Sequence, residues 1–169
     1  MNQVIKVYKQ EVPAMKFVGK KYVGDDVYSH WGEWFANGLF DKVEEAMGGV
    51  DNILSIWKDG GGYVGLEFRK EGELIEYWIG MFAPIDTDVP KGFECYDFKE
   101  GNIGVCWNYG KKDEVHDVGE NWKHIIDEGM EFWSDERGAV VQFENGLCPR
   151  FTTPDENGNV ILDYCFYVK

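Results

Sequence analysis

The sequence lacks the features that mark membrane-spanning, exported and disulfide-stapled proteins. Nowhere do about 18 apolar residues run together, so we expect no membrane span. The start, MNQVIKVYKQEVP, has no charged segment followed by a long apolar one, so we expect no export signal. Four widely separated cysteines form no C-x-x-C pair and favour reduced thiols: Cys95, Cys106, Cys148 and Cys165. A cytoplasmic address is the simplest expectation.

Basic residues are also scarce. Lys and Arg number 17 against 31 Asp and Glu, which gives a formal net charge of −14. The summed field of such a chain repels phosphate backbones and attracts cations. Direct binding to nucleic acid is therefore disfavoured.

The chain has few prolines and no low-complexity linker that would divide it. Its 169 residues, 44% hydrophobic and 28% charged, are typical of a globular protein, and we predict a single domain over 1–169. Aromatic residues are unusually frequent at 16%. Because aromatic side chains fill cores and also line ligand pockets, their number alone does not choose between the two roles.

Hydrophobic periodicity predicts the elements of the first half. Alternation in VIKVYKQEV and AMKFVGKKYV indicates one or two strands. Behind the candidate N-caps Asp25 and Asp26, apolar residues recur at helical spacing from 27 to 47 and end at Gly48 and Gly49. YVGLEF, the turn RKEGE and LIEYWIGMF then predict a strand hairpin.

The second half repeats this order. Beyond the polar loop between Pro84 and Pro90, FECYDF, KEGN and IGVCWNYG predict another hairpin. Apolar residues recur at helical spacing from about 118 to 133, with Asp117 as a candidate cap. AVVQFEN and VILDYCFYV predict a last pair of strands joined by a long connection.

The two halves, about 1–83 and 93–169, therefore suggest a duplication. Alignment of their strands places Glu67 opposite Glu144, Glu76 opposite Asp163, and Tyr77 opposite Tyr164. The predicted fold is α+β: a duplicated strand-helix-hairpin repeat with pseudo-twofold symmetry, antiparallel sheets and two main helices around a central ligand cleft.

The order and spacing of several short motifs resemble the GyrI-like effector-binding family, which includes the ligand-sensing domains of AraC-type and multidrug-responsive regulators. The resemblance extends over essentially the whole chain and rests on these matches: Tyr63 and Gly65; Tyr77, Ile79 and Gly80; Val89, Pro90 and Gly92; Gly101 and Gly110; Phe143 and Glu144; and the ending Tyr167, Val168, Lys169. It implies a twofold repeat with an aromatic-lined cavity, in which an acid meets a cationic ligand.

In this chain the resemblance implies that the acid is Glu144. Two departures bear on the shape of the pocket. Gly146 stands where the family often has an aromatic residue, and the polar segment KKDEVHD is extra sequence before the second helix. No helix-turn-helix segment accompanies the domain, so the expectation is a stand-alone member.

Strand alternation places Gln142 and Glu144 on one face and Val141 and Phe143 on the other, where a glutamate is most often solvated. A carboxylate walled by aromatic rings would instead favour cationic over neutral ligands. Candidate wall residues are the aromatics of the paired strands: Tyr63, Tyr77, Trp78, Trp107, Tyr109 and Tyr164. Alternate positions must fill the core, so the pattern leaves open which of them face a ligand, whereas Trp31, Trp34 and Trp57 are assigned to packing.

We expect no metal and no cofactor. His116, Glu120 and His124 fall on one helical face, but residues eight apart are separated by about 12 Å along a helix, too far to share one ion. No nucleophile elbow or glycine-rich phosphate loop of the P-loop or dinucleotide type is present.

Three functions remain open at this point. The leading hypothesis is binding of a bulky aromatic or cationic small molecule, for sensing or sequestration. The second, also implied by the resemblance, is hydrolysis of strained or xenobiotic compounds with Glu144 as the general acid or base. The third is an acidic protein partner of a DNA-binding enzyme, since a negative surface could engage a basic groove that binds DNA. The resemblance implies gyrase as the example, because stand-alone relatives are linked to its inhibition.

Overall fold

The computed structural model describes residues 2–24, 26–146 and 148–169. Within them, eight strands form one antiparallel open sheet. The strands are β1 (Gln3–Val12), β2 (Met15–Val23), β3 (Val64–Arg69), β4 (Glu76–Pro84), β5 (Glu94–Phe98), β6 (Gly101–Gly110), β7 (Val140–Asn145) and β8 (Val160–Val168). The predicted α+β class is confirmed.

The long helix predicted for the first half is divided. It forms α1 (Val27–Ala36) and α2 (Leu39–Ala46), followed by the single turn α3 (Asp51–Leu54). Gly38 has φ of 61°, a left-handed conformation that glycine adopts readily and that interrupts the helix. The continuous helical spacing did not show this break because the apolar stripe continues across it.

The cap predicted for that helix is observed at one of its two candidates. The carboxylate of Asp26 accepts a hydrogen bond from the backbone N–H of Ser29, as an N-cap does. Asp25 lies outside the described residues.

The second helix is shorter than predicted. α4 spans Asn121–Asp127, and a separate 3₁₀ turn occupies Val115–Asp117. Glu120, immediately before α4, has φ of 52°, so the helix cannot continue back to Asp117, and the cap predicted there is wrong. The last helix, α5 (Pro149–Thr152), is a single turn with proline in its first position, where the missing N–H costs nothing. None of the helices in the described ranges has the length and apolar character needed to cross a bilayer.

The strand order is β1-β6-β8-β7-β3-β4-β2-β5. Exchanging β1 with β5, β2 with β6, β3 with β7 and β4 with β8 reverses this order onto itself, so the sheet has the pseudo-twofold symmetry predicted from the repeat. The axis lies between the central strands β3 and β7. The cross-strand pairs agree with the sequence alignment, since Glu67 pairs with Tyr77 and Glu144 pairs with Tyr164.

The hairpin predicted between β5 and β6 is wrong. β5 pairs with β2, and β6 pairs with β1 and β8. The first strand of each half thus extends the sheet of the other half, and β1 and β2 are likewise not paired with each other. A short turn between two alternating segments is also compatible with strands that diverge, which is why the local pattern was misleading.

The sheet is strongly curved. Phe98 on β5 stacks on Tyr167 on β8 with ring centroids 4.5 Å apart. In a flat sheet these strands, five steps apart, would be separated by about 24 Å. The concave face is filled by the protein's own side chains, among them Phe17, Phe68, Trp78, Phe82, Phe143 and Trp57.

The opposite face carries the helices. The rings of α1 and α2 pack over β3 and β4, since Trp31 lies above Gly65 and Phe40 stacks on Tyr63. Ile125 of α4 packs over Gly104 of β6. We call this side the helix face.

The backbones of β2 and β4 approach closely where Gly19 pairs with Gly80. An added Cβ at Gly19 would overlap the carbonyl oxygen of Ile79. We expect Gly19→Ala to lower the free energy of unfolding by about 1–3 kcal/mol, because the backbone must shift. Urea unfolding measures this. Gly32→Ala is the control, since nothing lies within 4 Å of its added Cβ; equal effects of both variants would contradict the close packing.

Candidate ligand-binding site

Two glutamates face the helix side from the two central strands. In β7 the side chains of Gln142 and Glu144 lie on the helix face. In β3 the side chain of Glu67 lies there too, because Glu67 pairs with Gln142, whereas Gly65, which pairs with Glu144, leaves space on this face. Their neighbours Leu66 and Phe143 are fully buried on the concave face. Glu67 and Glu144 are therefore related by the pseudo-twofold axis.

Two tyrosines border this pair of acids. Tyr77 of β4 lies beside Glu67, and Tyr164 of β8 lies beside Glu144. The Nε1 of Trp31 donates to the Tyr77 hydroxyl at 2.9 Å, and the Nε2 of Gln142 donates to the Tyr164 hydroxyl at 2.8 Å. Each hydroxyl accepts a bond and retains a proton that it can donate.

Both tyrosines are half-buried, and this burial raises the pKa of each phenol well above its ordinary value; nearby glutamate charges act in the same direction. They are therefore neutral near pH 7. The floor of the site combines two neutral aromatic rings with two carboxylates.

Each carboxylate contacts a basic side chain of the protein. The Nδ1 of His116 lies 2.9 Å from Oε2 of Glu144. The Nε of Arg69 donates to Oε2 of Glu67 at 2.6 Å, and Gln142 donates to the same oxygen at 2.9 Å. Glu144 is only partly shielded, with 33% of its side chain exposed, so it is neither hidden in a cavity nor fully solvated.

The bond with Glu144 raises the pKa of His116, while burial of the ring acts in the opposite direction. His116, Glu120 and His124 do not share a helix, because the first belongs to the 3₁₀ turn and the second precedes α4. In the described part of the chain no three His, Cys, Asp or Glu side chains are grouped as a metal site.

The space above the centre of the floor is largely filled. An added Cβ at Gly65 would meet the Tyr77 hydroxyl and the ring of Trp31. The rings of Tyr77 and Trp31 therefore lie over β3 at Gly65, the residue that pairs with Glu144. A ligand that reaches both acids must displace at least one of them.

An open groove adjoins this floor through Gln142. It has a volume of about 440 Å³ and runs between α4 and the β3–β4 turn. Its apolar lining includes Trp122, Ile75, Phe132 and Phe166, and Trp122 is 47% exposed.

The aromatic residues predicted as pocket walls are thus separated by the sheet. Tyr77 and Tyr164 lie beside the acids, and Tyr63 lies on the same side, stacked on Phe40 and bonded to Glu44. Trp78 and Trp107 do not face Glu144. Trp78 pairs with Leu66 and Trp107 with Asp163, both on the concave face.

Tyr109, near the end of β6, is also apart from Glu144. Its hydroxyl donates a hydrogen bond to Asp155 in the loop before β8. The sequence grouped three aromatic residues with Glu144 that do not lie beside it: Trp78, Trp107 and Tyr109. Alternation along β4 and β6 directs their side chains to the opposite face of the sheet from the helices.

Sequence reasoning did not assign a site role to four residues: Glu67, Gln142, Trp31 and His116. The repeat already aligned Glu67 with Glu144 and could have found it. The extra segment KKDEVHD contains His116 and was a signal of local difference. Nothing in the sequence indicated that Trp31 reaches Tyr77.

Comparison with known proteins identifies the fold. No family model matches the sequence, and no curated protein does so either. Solved structures do match. One is the structure of the protein SAV2435 bound to tetraphenylphosphonium, which is 13% identical in sequence. The match covers 98% of this chain and 94% of SAV2435, with a TM-score of 0.67.

Two further neighbours have different descriptions. A putative transcription regulation protein from Staphylococcus aureus MU50 is 14% identical over 98% of this chain and 99% of its own, with a TM-score of 0.64. A hydrolase from Listeria innocua is 13% identical. The match covers 97% of this chain and 92% of the hydrolase, with a TM-score of 0.51. At these identities the chain shares their fold, the one that the resemblance to the GyrI-like family implied.

The contact between His116 and Glu144 can be tested by titration. In Glu144→Gln we expect the pKa of His116 to fall, because the hydrogen bond that raises it most is lost while burial of the ring, which lowers it, remains. NMR of the imidazole carbons measures the shift. Glu136→Gln, an exposed acid without a hydrogen bond to His116, is the control; an unchanged titration in Glu144→Gln would show that the pair does not form in solution.

Proposed function

We propose that this chain binds a bulky cationic aromatic small molecule on the helix face, with Glu144 as its anionic contact. The observation that carries the proposal is the row of paired side chains Tyr77–Glu67 and Tyr164–Glu144 on the central strands. The binding of tetraphenylphosphonium by a protein of the same fold supports the choice of ligand class.

The chemistry of this row suits such a ligand. A partly desolvated carboxylate regains favourable electrostatic energy when a cation approaches, whereas a neutral ligand offers no such gain. An aromatic face near a cation adds about 0.5–2 kcal/mol, depending on how dry the contact is. Tyr77 and Tyr164 flank the acids and can supply these faces.

The groove beside Gln142 offers room for the apolar part of the ligand. Trp122 and Ile75 are exposed there, and a ligand in the groove would gain free energy by covering their apolar surface. In this arrangement the charge lies near Glu144 and an aromatic substituent lies against Trp122.

The first test is titration with tetraphenylphosphonium, followed by quenching of tryptophan fluorescence. We expect Glu144→Gln to weaken binding by about tenfold or more, corresponding to at least about 1.4 kcal/mol, because the ligand loses its counter-charge. Glu136→Gln makes the same charge change at an exposed position in the turn before β7 and serves as the control. Equal affinity of the Glu144 variant and the wild type would remove the proposal.

A second test concerns the groove. Trp122→Ala should weaken binding by about 0.5–1.5 kcal/mol, the range of a single aromatic contact. Ile126→Ala on the same helix is the matched control, since this side chain is 50% exposed but does not line the groove. If the two variants lose the same affinity, the groove does not hold the ligand.

Hydrolysis remains a second candidate, favoured by the 2.9 Å contact of His116 with Glu144. A histidine and a carboxylate in contact can exchange a proton with bound water. Incubation with a strained cyclopropane-bearing compound and mass spectrometry of the products separates the two functions. Turnover that is lost in Glu144→Gln while binding persists would favour the enzyme over the binding protein.

A further inference from the structure

The segment between β6 and α4 supplies a basic group to the acid of the binding site. This segment is the extra polar sequence KKDEVHD, and His116 is its sixth residue. The imidazole Nδ1 lies 2.9 Å from Oε2 of Glu144, although the two residues are 28 positions apart. No other side chain in the described residues hydrogen-bonds to the Glu144 carboxylate.

His116 is held in place by the surroundings of this segment. Val115 is fully buried in a small cluster with Cys148, Phe151, Val160 and Leu162. The carbonyl of Val115 accepts from the side-chain amide of Asn108, and that of Glu114 accepts from Asn2. The ring of His116 packs edge-on against Phe151 with centroids 6.0 Å apart. These contacts hold the backbone of the segment and one side of the imidazole, while 43% of the His116 side chain is exposed.

The titratable groups around the contact lie on β4, on β8 and on the segment that carries His116. Tyr77 of β4 and Tyr164 of β8 lie close enough to Glu144 for its charge to raise the pKa of each phenol. Asp117, on the same turn as His116, adds to the rise in the pKa of the imidazole. The Nζ of Lys112 lies over the ring of Phe151, 5.5 Å from its centroid. Of these groups, only the imidazole is basic and in direct contact with the acid.

We propose that His116 is a specificity-determining residue of the ligand site, an internal counter-ion that occupies Glu144 until a cationic ligand takes its place. This inference rests on the proposed function. When the ligand binds, the imidazolium loses its partner and releases its proton to solvent. The carboxylate exchanges one cation for another, and the total charge of the site is conserved.

This exchange selects among ligands. A neutral molecule cannot replace the imidazolium without leaving the carboxylate unpaired, which is costly in a partly buried site. A small cation without apolar area must compete for Glu144 with the imidazolium of His116, which is already in contact with it. Only a ligand that combines positive charge with apolar area, which gains from the groove as well, replaces His116 effectively.

The protonation of His116 determines how the affinity for a cation changes with pH. The pKa of His116 is raised in the free protein, so its ion pair with Glu144 is present at low pH and is lost as pH rises through that value. Affinity for a permanent cation should then increase with pH. With one proton released, the increase is at most about tenfold per pH unit, and it ceases once the imidazole is neutral.

The experiment is isothermal titration calorimetry with tetraphenylphosphonium, from about pH 5.5 to about pH 8, the range in which histidine titrates. Buffers of different ionisation enthalpy report the number of protons released. We expect wild-type protein to release a substantial fraction of one proton between the pKa of His116 in the complex and its raised pKa in the free protein, less at either end of the range, and to bind more tightly as pH rises. His116→Gln should bind more tightly than wild type at low pH, and its affinity should vary much less.

Two further variants make the result specific. His116→Arg carries a permanent charge at the same position, so it should weaken binding at every pH and abolish proton release. His124→Gln removes an exposed histidine of α4 and should behave as wild type. Circular dichroism of each variant confirms that the fold is retained.

The outcomes separate the two proposals. If Glu144→Gln weakens binding but wild type and His116→Gln show the same pH dependence and no proton release, the role of His116 is overturned and the binding function stands. If Glu144→Gln binds as well as wild type, the binding function itself is overturned. A merely structural role of His116 would alter stability without altering the number of protons released.

Discussion

The pairing of β3 with β7 is the constraint on which the rest of the site depends. It places Leu66 opposite Phe143 in the aromatic interior and therefore directs Glu67 and Glu144 to the helix face. A slip of one residue in either strand would move a carboxylate into that interior and an apolar side chain out of it. The buried aromatic core thus determines the register, and the register determines where the charges lie.

The exchange of edge strands holds this arrangement together. β1 extends the second half of the sheet and β5 extends the first. Neither half completes its sheet without a strand from the other, so the pseudo-twofold axis is a structural requirement as well as a trace of duplication. The sheet is strongly curved, and its concave face is filled by aromatic side chains such as Phe17, Phe82 and Phe143.

The helix face has an aromatic cluster of its own, in which Trp31, Phe40 and Tyr63 pack together. There, Tyr77 and Tyr164 lie beside the acids, with Trp31 above one end and Trp122 exposed in the adjoining groove. The overall charge of −14 describes the whole surface, but at this site each carboxylate already has a basic neighbour. Long-range attraction of cations and their capture at Glu144 are therefore separate effects: the first depends on net charge, and the second on replacing His116.

The amino-acid sequence by itself determined the α+β class, the repeat and the positions of its acids and tyrosines, because these depend on local alternation and on similarity between the two halves. It could not decide which strands pair, so β5 and β6 were predicted as a hairpin. It also could not tell which side of a strand faces the interior when both sides carry aromatic residues, as at Trp78 and Trp107. Only the tertiary structure brought His116 to Glu144, because a contact between residues 28 positions apart arises from the packing of a loop and leaves no periodic signal in the chain.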